Sequence, residues 1–333
     1  MANADGVEKL EDAIVRSAEQ VAGQIRAAKE AIATVIYGQD RVIENTLVTI
    51  LSGGHALLIG VPGLAKTKLV ETLGITLGLD AKRIQFTPDL MPSDILGAEV
   101  LDESNSGKRS FRFIAGPVFA QLLMADEINR ASPRTQSALL QAMQEQHITV
   151  AGARHDLPKP FHVLATQNPL EQEGTYPLPE AQLDRFLMEI DVDYPDRDAE
   201  RRILFETTGA DETLAKASMN AEILIAAQRL VRRLPVGDSV VEAILSLVRS
   251  ARPNPDGDGD KLIAWGPGPR ASQSLMLAVR ARALLDGRLA PSIDDVLDLA
   301  EPVLKHRMAL TFSARAEGRT IPDVIRQLKT RIG

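Results

Sequence analysis

Short apolar runs alternate with helical patterns through the middle of the chain, between about residues 54 and 192. Five of these runs are β-rich and almost continuously apolar, which is typical of strands that are buried on both faces. The helical segments between them favour parallel strands with helices on both faces of the sheet. The five predicted strands are Ala56–Ile59, Arg83–Phe86, Gln121–Ala125, Phe161–Ala165 and Leu187–Val192. The pattern therefore predicts an α/β domain built on a five-stranded parallel sheet.

The two ends of the chain carry helical patterns without strand patterns. Apolar residues recur at helical spacing near the N-terminus and predict an amphipathic helix over residues 1–30. After residue 196, Asn220, Asp238 and Ser292 are residue types that favour helix N-caps. The predicted organisation is an N-terminal helix (1–30), an α/β core (31–195) and a smaller all-α domain (196–333).

Composition excludes several classes of protein. The 333 residues contain no cysteine, which excludes disulfide bonds and zinc–thiolate sites and suits a reducing cytosol. Lys and Arg total 38 against 45 Asp and Glu, and the net charge of −7 argues against nucleic acid as the main partner. The polar N-terminus lacks an apolar signal core, and no apolar run is long enough to cross a bilayer. We therefore expect a cytoplasmic protein without direct membrane insertion.

The most informative segment follows the first predicted strand. Residues Gly60–Thr67 read Gly-Val-Pro-Gly-Leu-Ala-Lys-Thr and open a helical pattern. Such a loop can hold a triphosphate, because its backbone N–H groups and the helix dipole face the phosphates. Lys66 would reach the β and γ oxygens, and Thr67 would help to hold Mg²⁺. Ala65 stands where the pattern G-x-x-x-x-G-K-[ST] has its second glycine, and the loop tolerates this methyl group if residue 65 does not need a positive φ.

Two carboxylates, Asp126 and Glu127, end the third apolar run. Phosphoryl transfer to water needs a carboxylate near Mg²⁺ and a second group that positions the attacking water. Asp126 can do the first and Glu127 the second. The alternative is that the pair only caps the next turn. Ser132 followed by Pro133 predicts the start of the next helix.

Three further polar residues could complete a phosphoryl-transfer site. Asn168 follows the fourth run, at the strand end where parallel sheets bind ligands, so it could hydrogen-bond the γ-phosphate or the water. A turn before Pro169 would favour the same residue type. Arg185 precedes the fifth run, and Arg270 begins a helix of the C-terminal domain. A guanidinium can stabilise charge on the transferring phosphoryl group, although most surface arginines have no such role.

An acidic, turn-rich segment occupies residues 253–260. Its three aspartates are spaced like the opening of a calcium-binding loop. The glycine and glutamate that such a loop requires are replaced by Lys261 and Pro267, so a solvated loop is the better prediction.

Taken together, these motifs resemble those of the AAA+ ATPases, and within them the MoxR family. The resemblance covers about residues 36–312 in order, and alanine at position 65 is usual for this family. It is carried by Tyr37-Gly38-Gln39, Gly53–Thr67, Gln85–Asp94, Asp126–Gln136, Ala165–Pro169, Gly174–Phe186, Gly268–Ala271 and Val303–Arg307.

The resemblance implies a role for each site residue. Lys66 and Thr67 would form the Walker A motif and Asp126 and Glu127 the Walker B motif. Asn168 would be sensor 1, Arg270 sensor 2, and Arg185 the arginine finger that acts on a neighbouring subunit's ATP. The residues expected to contact ATP are Tyr37, Gly38, Gly60, Val61, Pro62, Gly63, Leu64, Ala65, Lys66, Thr67 and Lys68. Thr67 and Asp126 are the expected Mg²⁺ ligands, and Glu127, Asn168, Arg185, Arg270 and Lys66 the expected catalytic residues.

The resemblance also implies two insert hairpins and a function. The hairpins are Glu99–Phe113, with a turn at 104–107, and His147–Pro160. The predicted function is ATP hydrolysis by a hexameric ring that remodels or helps to assemble other proteins, typically with a partner that bears a von Willebrand factor A domain. Two alternatives stay open: a nucleotide-gated binding module with little turnover, and a DNA-acting AAA+ protein. Retention of the catalytic residues argues against the first alternative, and the acidic net charge argues against the second.

Overall fold

The computed structural model describes residues 4–103, 109–171, 173–209, 213–253 and 262–332. These residues form a parallel sheet covered by helices and, after it in the chain, a mostly helical part. The described residues from 197 to 332 are called the lid below. The predicted turn at 104–107 and all but the first residue of the predicted acidic loop lie outside the described residues.

The strands in chain order are β1 (Ala56–Ile59), β2 (Ala81–Gln85), β3 (Gly97–Glu103), β4 (Arg109–Ala115), β5 (Leu122–Asp126), β6 (His147–Val150), β7 (Ala153–Asp156), β8 (His162–Gln167), β9 (Met188–Asp191), β10 (Ile263–Trp265) and β11 (Ala309–Leu310). The helices are α1 (Ala4–Ala33), α2 (Asp40–Leu51), α3 (Lys66–Leu77), α4 (Pro92–Leu96), α5 (Pro133–Glu145), α6 (Glu180–Leu183), α7 (Arg197–Thr208), α8 (Ala221–Val231), α9 (Asp238–Ser250), α10 (Pro269–Leu285), α11 (Ile293–Leu304), α12 (Phe312–Ala316) and α13 (Ile321–Lys329). Short 3₁₀ turns occupy Ile128–Arg130 and Lys305–Arg307.

The main sheet has the strand order β2-β5-β8-β1-β9, and each neighbouring pair is parallel. The predicted five-stranded parallel sheet is therefore confirmed, and each predicted apolar run overlaps one of its strands. Parallel strands bring their carboxyl ends to one edge of the sheet. The segments that follow β1, β5 and β8 consequently meet at that edge.

Alternate residues of the central strands β1, β5 and β8 pack into two separate apolar cores. In β5, Leu122 and Met124 belong to the core that also contains α1, α2, α3 and much of the lid. Leu123 and Ala125 belong to a second core that includes apolar residues of α5. Successive side chains of a strand point to opposite faces, so burial on both faces explains the continuous apolar character of these three runs. The expectation of burial on both faces is wrong for the edge strand β2, where four of five residues are exposed and Ile84 packs only into the second core.

Helix α1 extends beyond the predicted range of 1–30 and ends at Ala33. Its buried residues Ile25, Ala28 and Ile32 join the first core. The helix packs against α2 and α3 of the core and also against α8 and α10 of the lid. It thus bridges the two parts of the chain, and the proposed domain boundaries stay predictions.

Two antiparallel strand pairs lie outside the main sheet. Strands β3 and β4 pair from Gly97 with Ala115 to Glu103 with Arg109, and β6 pairs with β7. The β6–β7 pair falls within the predicted segment His147–Pro160, and the β3–β4 pair overlaps the predicted segment Glu99–Phe113 and extends two residues beyond each of its ends. The β3–β4 hairpin exposes apolar side chains, with Leu101 at 56% and Phe111 at 71% exposure.

The lid is helical as predicted, with one addition: β10 and β11 form a short antiparallel pair. Asn220 accepts a hydrogen bond from the backbone N–H of Ile223 and caps α8, and Ser292 caps α11 in a capping box, so both predicted caps are confirmed. The prediction for Asp238 is wrong, because Gly237 is the N-cap of α9 and Asp238 is its first residue. An acidic group there still favours the positive end of the helix dipole. No helix in the described ranges is long and apolar enough to span a membrane.

Candidate nucleotide-binding site

The loop between β1 and α3 uses its small residues for different purposes. A Cβ at Gly60 would lie 2.6 Å from the carbonyl oxygen of Val192, so close packing against the end of β9 requires glycine there. Gly63 has a φ of +86° and open space around the Cβ position, so its requirement is conformational. Ala65 has a φ of 55° and a ψ of 20°, which is the left-handed region. The condition that residue 65 does not need a positive φ is therefore not met, and alanine holds a conformation that glycine adopts more easily.

Lys66 begins α3, and its ammonium group points back over the loop. Its Nζ donates hydrogen bonds to the carbonyl oxygens of Gly60 and Val61, the second at 2.9 Å. Burial lowers the pKa of Lys66, while the carboxylates of Asp126 and Glu127 act in the opposite direction. Lys66 lines the same cavity as Asp126 and Glu127, and a phosphate bound there would contact both the lysine and the helix N-terminus.

Asp126 lies at the carboxyl end of β5 and is held on both of its oxygens. Oδ1 accepts a hydrogen bond from Thr166 Oγ1 at 2.5 Å. Oδ2 accepts from Arg83, whose Nη2 lies 2.6 Å away. Thr166 belongs to β8 and Arg83 to β2, so the two neighbouring strands fix the orientation of this carboxylate.

Glu127 follows directly and turns the chain out of the strand with a φ of 55° and a ψ of 51°. Its backbone N–H donates to Thr166 Oγ1 at 2.9 Å. Its carboxylate Oε2 accepts from Gln85 Nε2 at 2.6 Å and from Arg130 Nη1 at 2.8 Å. A left-handed conformation at a non-glycine residue is strained and is often found at functional sites. The alternative that the two carboxylates only cap a turn is not favoured, since neither caps a helix through its side chain.

Asn168 is 5% exposed and lies one residue beyond β8. Its Oδ1 accepts a hydrogen bond from the backbone N–H of Leu170 at 3.1 Å. This is the turn that an asparagine before proline favours. The turn and the functional interpretation are compatible, because an Oδ1 that is held in this way orients the NH₂ group, which is a donor suited to a phosphate oxygen or a water.

Two cavities adjoin the phosphate loop. The first has a volume of about 410 Å³ and the second about 340 Å³, and both are lined by Gly63, Leu64, Ala65 and Lys68. The first is also lined by Pro62, Lys66, Thr67, Asp126, Glu127, Thr166 and Asn168. The second is also lined by Val35, Ile36, Tyr37, Gln39, Pro195, Ile203 and Thr207. Their shared wall suits one nucleotide, with the phosphates in the first cavity and the base in the second. The first is called the polar cavity below because its lining includes Lys66, Asp126 and Glu127, and the second is called the apolar cavity.

The apolar cavity is shaped by the segment before α2. The ring of Tyr37 is covered by the guanidinium of Arg202, at 4.3 Å from the ring centroid. Gly38 has a φ of +68°, and a Cβ there would lie 2.5 Å from that of Ala199. Gly38 therefore lets the segment approach α7 closely, and it is Tyr37 rather than Gly38 that lines the cavity.

The residues of the polar cavity fit a Mg²⁺ ion. Thr67 and Asp126 line the same cavity and both offer oxygen atoms. Mg²⁺ prefers hard oxygen ligands and is usually bound by one or two protein groups together with phosphates and waters. The two predicted ligands would therefore suffice when a nucleotide supplies the remaining oxygens.

The structure does not bring the two predicted arginines into this site. Among the described residues that line the two cavities, neither Arg185 nor Arg270 is present. Arg270 instead donates to Asp184 Oδ2 at 3.0 Å. Arg185 follows α6, and its backbone N–H bonds to the carbonyl oxygen of Gln182. The roles of both arginines stay predictions.

Sequence reasoning missed four side chains that hold the carboxylates: Arg83, Gln85, Arg130 and Thr166. One signal was available for Thr166, because it occupies the end of β8 beside Asn168. Arg83 and Gln85 become neighbours of Asp126 and Glu127 only through the pairing of β2 with β5, in which Gln85 lies opposite Asp126. Strand order, which the apolar pattern leaves open, was the missing information.

A parallel sheet with a phosphate loop after β1, paired carboxylates after β5 and a helical lid defines the AAA+ class of ATPases. Comparison with known proteins agrees with this class. Residues 55–188 match the "ATPase family associated with various cellular activities (AAA)" and residues 260–328 match the "AAA lid domain".

Individual relatives narrow the class further. The chain is 42% identical over 314 residues to Chaperone MoxR1 of Mycobacterium tuberculosis, which covers 92% of this chain and 82% of the relative. It is 34% identical to Protein MoxR of Paracoccus denitrificans, over 86% of this chain and 89% of that protein. The crystal structure of a Cytophaga hutchinsonii protein, 35% identical, matches with a TM-score of 0.88 over 96% of this chain and 97% of that one. The chain belongs to the MoxR family of AAA+ ATPases.

Proposed function

We propose that this protein hydrolyses Mg·ATP to ADP and phosphate, and that it uses this reaction to remodel or mature partner proteins. The observation that carries the proposal is the polar cavity, where Lys66, Thr67, Asp126, Glu127 and Asn168 meet beside the phosphate loop. Each of the five supplies a group that phosphoryl transfer to water requires.

The proposed chemistry assigns one task to each group. Loop amides and Lys66 hold the β- and γ-phosphates, and Asn168 donates to the γ-phosphate or the attacking water. The water oxygen bonds to the γ-phosphorus, its proton passes to the Glu127 carboxylate, and the bond from the γ-phosphorus to the β-phosphate oxygen breaks to release ADP. A Mg²⁺ ion held by Thr67 and Asp126 would neutralise charge on the β and γ oxygens.

We further propose that the active form is a hexameric ring in which Arg185 completes a neighbouring subunit's site. Two observations support this: Arg185 does not line the cavities of its own chain, and its side chain is half-buried rather than enclosed. An arginine in that position can stabilise the transition state only if it comes from another subunit.

The proposal of protein partners rests on the family and not on the geometry of the site. One relative is named as a chaperone. We propose a client or cofactor protein with a von Willebrand factor A domain as the partner, no nucleic acid, and a cytoplasmic location. The exposed apolar side chains of the β3–β4 hairpin offer a surface for protein contact.

Two variants test the catalytic proposal. Glu127→Gln should keep ATP binding and lose turnover, because the amide cannot accept the proton of the attacking water. Phosphate release by this variant at the parent rate would show that Glu127 does not accept the proton of the attacking water. The matched control is Glu180→Gln on α6, which is exposed and should hydrolyse ATP at the parent rate.

A mixing experiment tests the shared site. Arg185→Ala should lower kcat by at least about 10³-fold, as expected for an arginine finger. Adding Glu127→Gln subunits should restore turnover, because their intact Arg185 completes the site of the Arg185→Ala neighbour. The control Arg315→Ala, at an exposed lid arginine, should hydrolyse ATP at the parent rate. Absence of rescue would show that Arg185 does not act between subunits.

A further inference from the structure

Arg307 of the lid is buried, with 1% of its side chain exposed. All three of its guanidinium nitrogens donate hydrogen bonds. Nε donates to Asp184 Oδ1 at 2.7 Å. Nη1 donates to the carbonyl oxygens of Val303 at 2.5 Å and Leu187 at 3.2 Å. Nη2 donates to the carbonyl oxygens of Phe186 at 2.7 Å and Asp184 at 3.2 Å, and to Ser274 Oγ at 3.3 Å. A buried charge is tolerated only with such complete pairing, so this geometry is strongly constrained.

Most of these bonds surround one residue. The carbonyl oxygens that Arg307 binds in the core belong to Asp184, Phe186 and Leu187, which lie on both sides of Arg185. His306 Nε2 donates to the Phe186 carbonyl oxygen as well, at 3.1 Å. Burial keeps the pKa of His306 well below its usual value, and the positive charge of Arg307 lowers that pKa further, so the ring stays neutral. The backbone that carries Arg185 is thus held by two consecutive lid residues.

Lys305 extends the same contact along β9. Its Nζ lies 2.5 Å from Asp191 Oδ1 and 3.3 Å from Glu189 Oε1, and only 8% of its side chain is exposed. Lys305, His306 and Arg307 therefore bind one continuous stretch of the core that runs from Asp184 to Asp191. A movement of the end of α11 must move this stretch with it.

Asp184 forms ion pairs with two arginines that differ in burial. Arg307 holds Oδ1 and is buried, whereas Arg270 pairs with Oδ2 and has 48% of its side chain exposed. If Arg270 leaves for a phosphate, Asp184 keeps its buried partner and no uncompensated charge remains. The Arg307 contact is the permanent one, and the Arg270 contact can be exchanged.

We propose that Arg307 is a positioning residue for Arg185: it fixes the backbone on both sides of Arg185, so that the lid of one subunit sets the place of the guanidinium that reaches the next subunit's ATP. This inference rests on the proposed function, in which Arg185 acts between subunits. The lid state of one subunit then governs hydrolysis in its neighbour without any residue of the lid touching that neighbour's nucleotide.

The test is Arg307→Lys, which keeps the charge and removes the planar fork. We expect kcat to fall about 10- to 100-fold, because a displacement of about 1 Å has that effect on a catalytic group. KM for ATP should stay within about twofold, since Arg307 does not line its own subunit's cavities. Adding Glu127→Gln subunits, whose Arg307 and Arg185 are intact, should restore turnover.

Arg288→Lys is the matched control. Arg288 also makes several side-chain hydrogen bonds, but its partners Asp286, Ala290 and Asp295 all lie in the lid. Its kcat should stay within about twofold of the parent even if its melting temperature falls. If Arg307→Lys melts below the assay temperature, His306→Ala replaces it, and it should show a several-fold loss of kcat that Glu127→Gln subunits also restore.

The outcomes separate the inference from the proposed function. Full activity of Arg185→Ala would overturn the shared site itself. A rescued loss in Arg185→Ala together with a parental kcat in Arg307→Lys would overturn only the inference. A loss in Arg307→Lys that Glu127→Gln subunits do not restore would show that Arg307 supports its own subunit's fold or site, which also overturns the inference.

Discussion

The left-handed conformation of Ala65 gives a quantitative prediction about the phosphate loop. A φ of 55° places this alanine where an L-residue loses about 1–2 kcal/mol relative to the right-handed region. Ala65→Gly removes that strain. It also lowers the free energy of the unfolded chain by about 0.4–1 kcal/mol, because glycine gives that chain more conformational entropy. The difference is a stabilisation of roughly 0–1.6 kcal/mol, which corresponds to a rise in Tm of about 0–3 °C.

Two further alanines of this chain serve as controls. Ala151 in the β6–β7 turn has a φ of 48°, so Ala151→Gly should also stabilise the protein. Ala251 at the end of α9 is buried with a φ of −82°, so Ala251→Gly should destabilise it by about 0.5–1 kcal/mol. The three variants are compared with the parent by calorimetry at one scan rate, because a chain of two parts need not unfold in one step. A Tm for Ala65→Gly that falls as far as that of Ala251→Gly would refute the assignment of strain to residue 65.

Two predictions concern the carboxylates and the buried histidines. Gln85→Ala removes the 2.6 Å hydrogen bond that holds Glu127, so we expect faster basal phosphate release, and a slower rate would show that Gln85 orients Glu127 for catalysis instead. Burial lowers the pKa of His55 to about 3 and that of His162 to about 4, so the folded protein binds fewer protons than the unfolded chain between these values and 6.5. Their contribution to stability is complete above pH 6.5 and is lost as the pH falls, by up to about 1.4 kcal/mol per pH unit for each histidine. Urea unfolding midpoints measured from pH 7.5 to pH 5 check this, and a flat profile would contradict it.

The hydrogen bonds of His162 agree with a neutral ring. Its Nδ1 bonds the carbonyl oxygen of Gly54 at 2.8 Å and must therefore carry the proton. Its Nε2 then accepts from Gln228 Nε2 at 3.0 Å. A protonated ring would turn this acceptor into a second donor facing a donor, so the pH effect has a structural cause as well as burial.

The parts of the fold that could be predicted are those with local causes. Continuous apolar runs predict buried parallel strands because both faces of the sheet are covered, and the loop at Gly60–Thr67 follows from its position between a strand and a helix. The N-caps at Asn220 and Ser292 depend on residues three positions apart. Such short-range relations can be found in a sequence without knowledge of the strand order.

The parts that could not be predicted depend on partners distant in the chain. Arg83 and Gln85 are separated from the carboxylates they bind by more than 40 residues, and they meet them only because β2 pairs with β5. Arg307 is separated from Asp184 by 123 residues. The conformation of Ala65 was missed for a different reason, since alanine rarely adopts a positive φ and the residue type pointed the other way.

Three charged groups of the proposed site are bound to this chain's own atoms. Lys66 binds loop carbonyl oxygens, Glu127 binds Gln85 and Arg130, and Arg270 binds Asp184. Lys66 and Arg270 use donor nitrogens that would bind phosphate, and Glu127 uses one of its two carboxylate oxygens, so we expect ATP binding to exchange some of these contacts. The exchange leaves no buried charge unpaired, because Asp184 keeps Arg307, which is 1% exposed, and Asp126 keeps Thr166 and Arg83. In the proposed mechanism, nucleotide binding is coupled to side-chain movement, and Arg307 would carry the movement of the lid to Arg185.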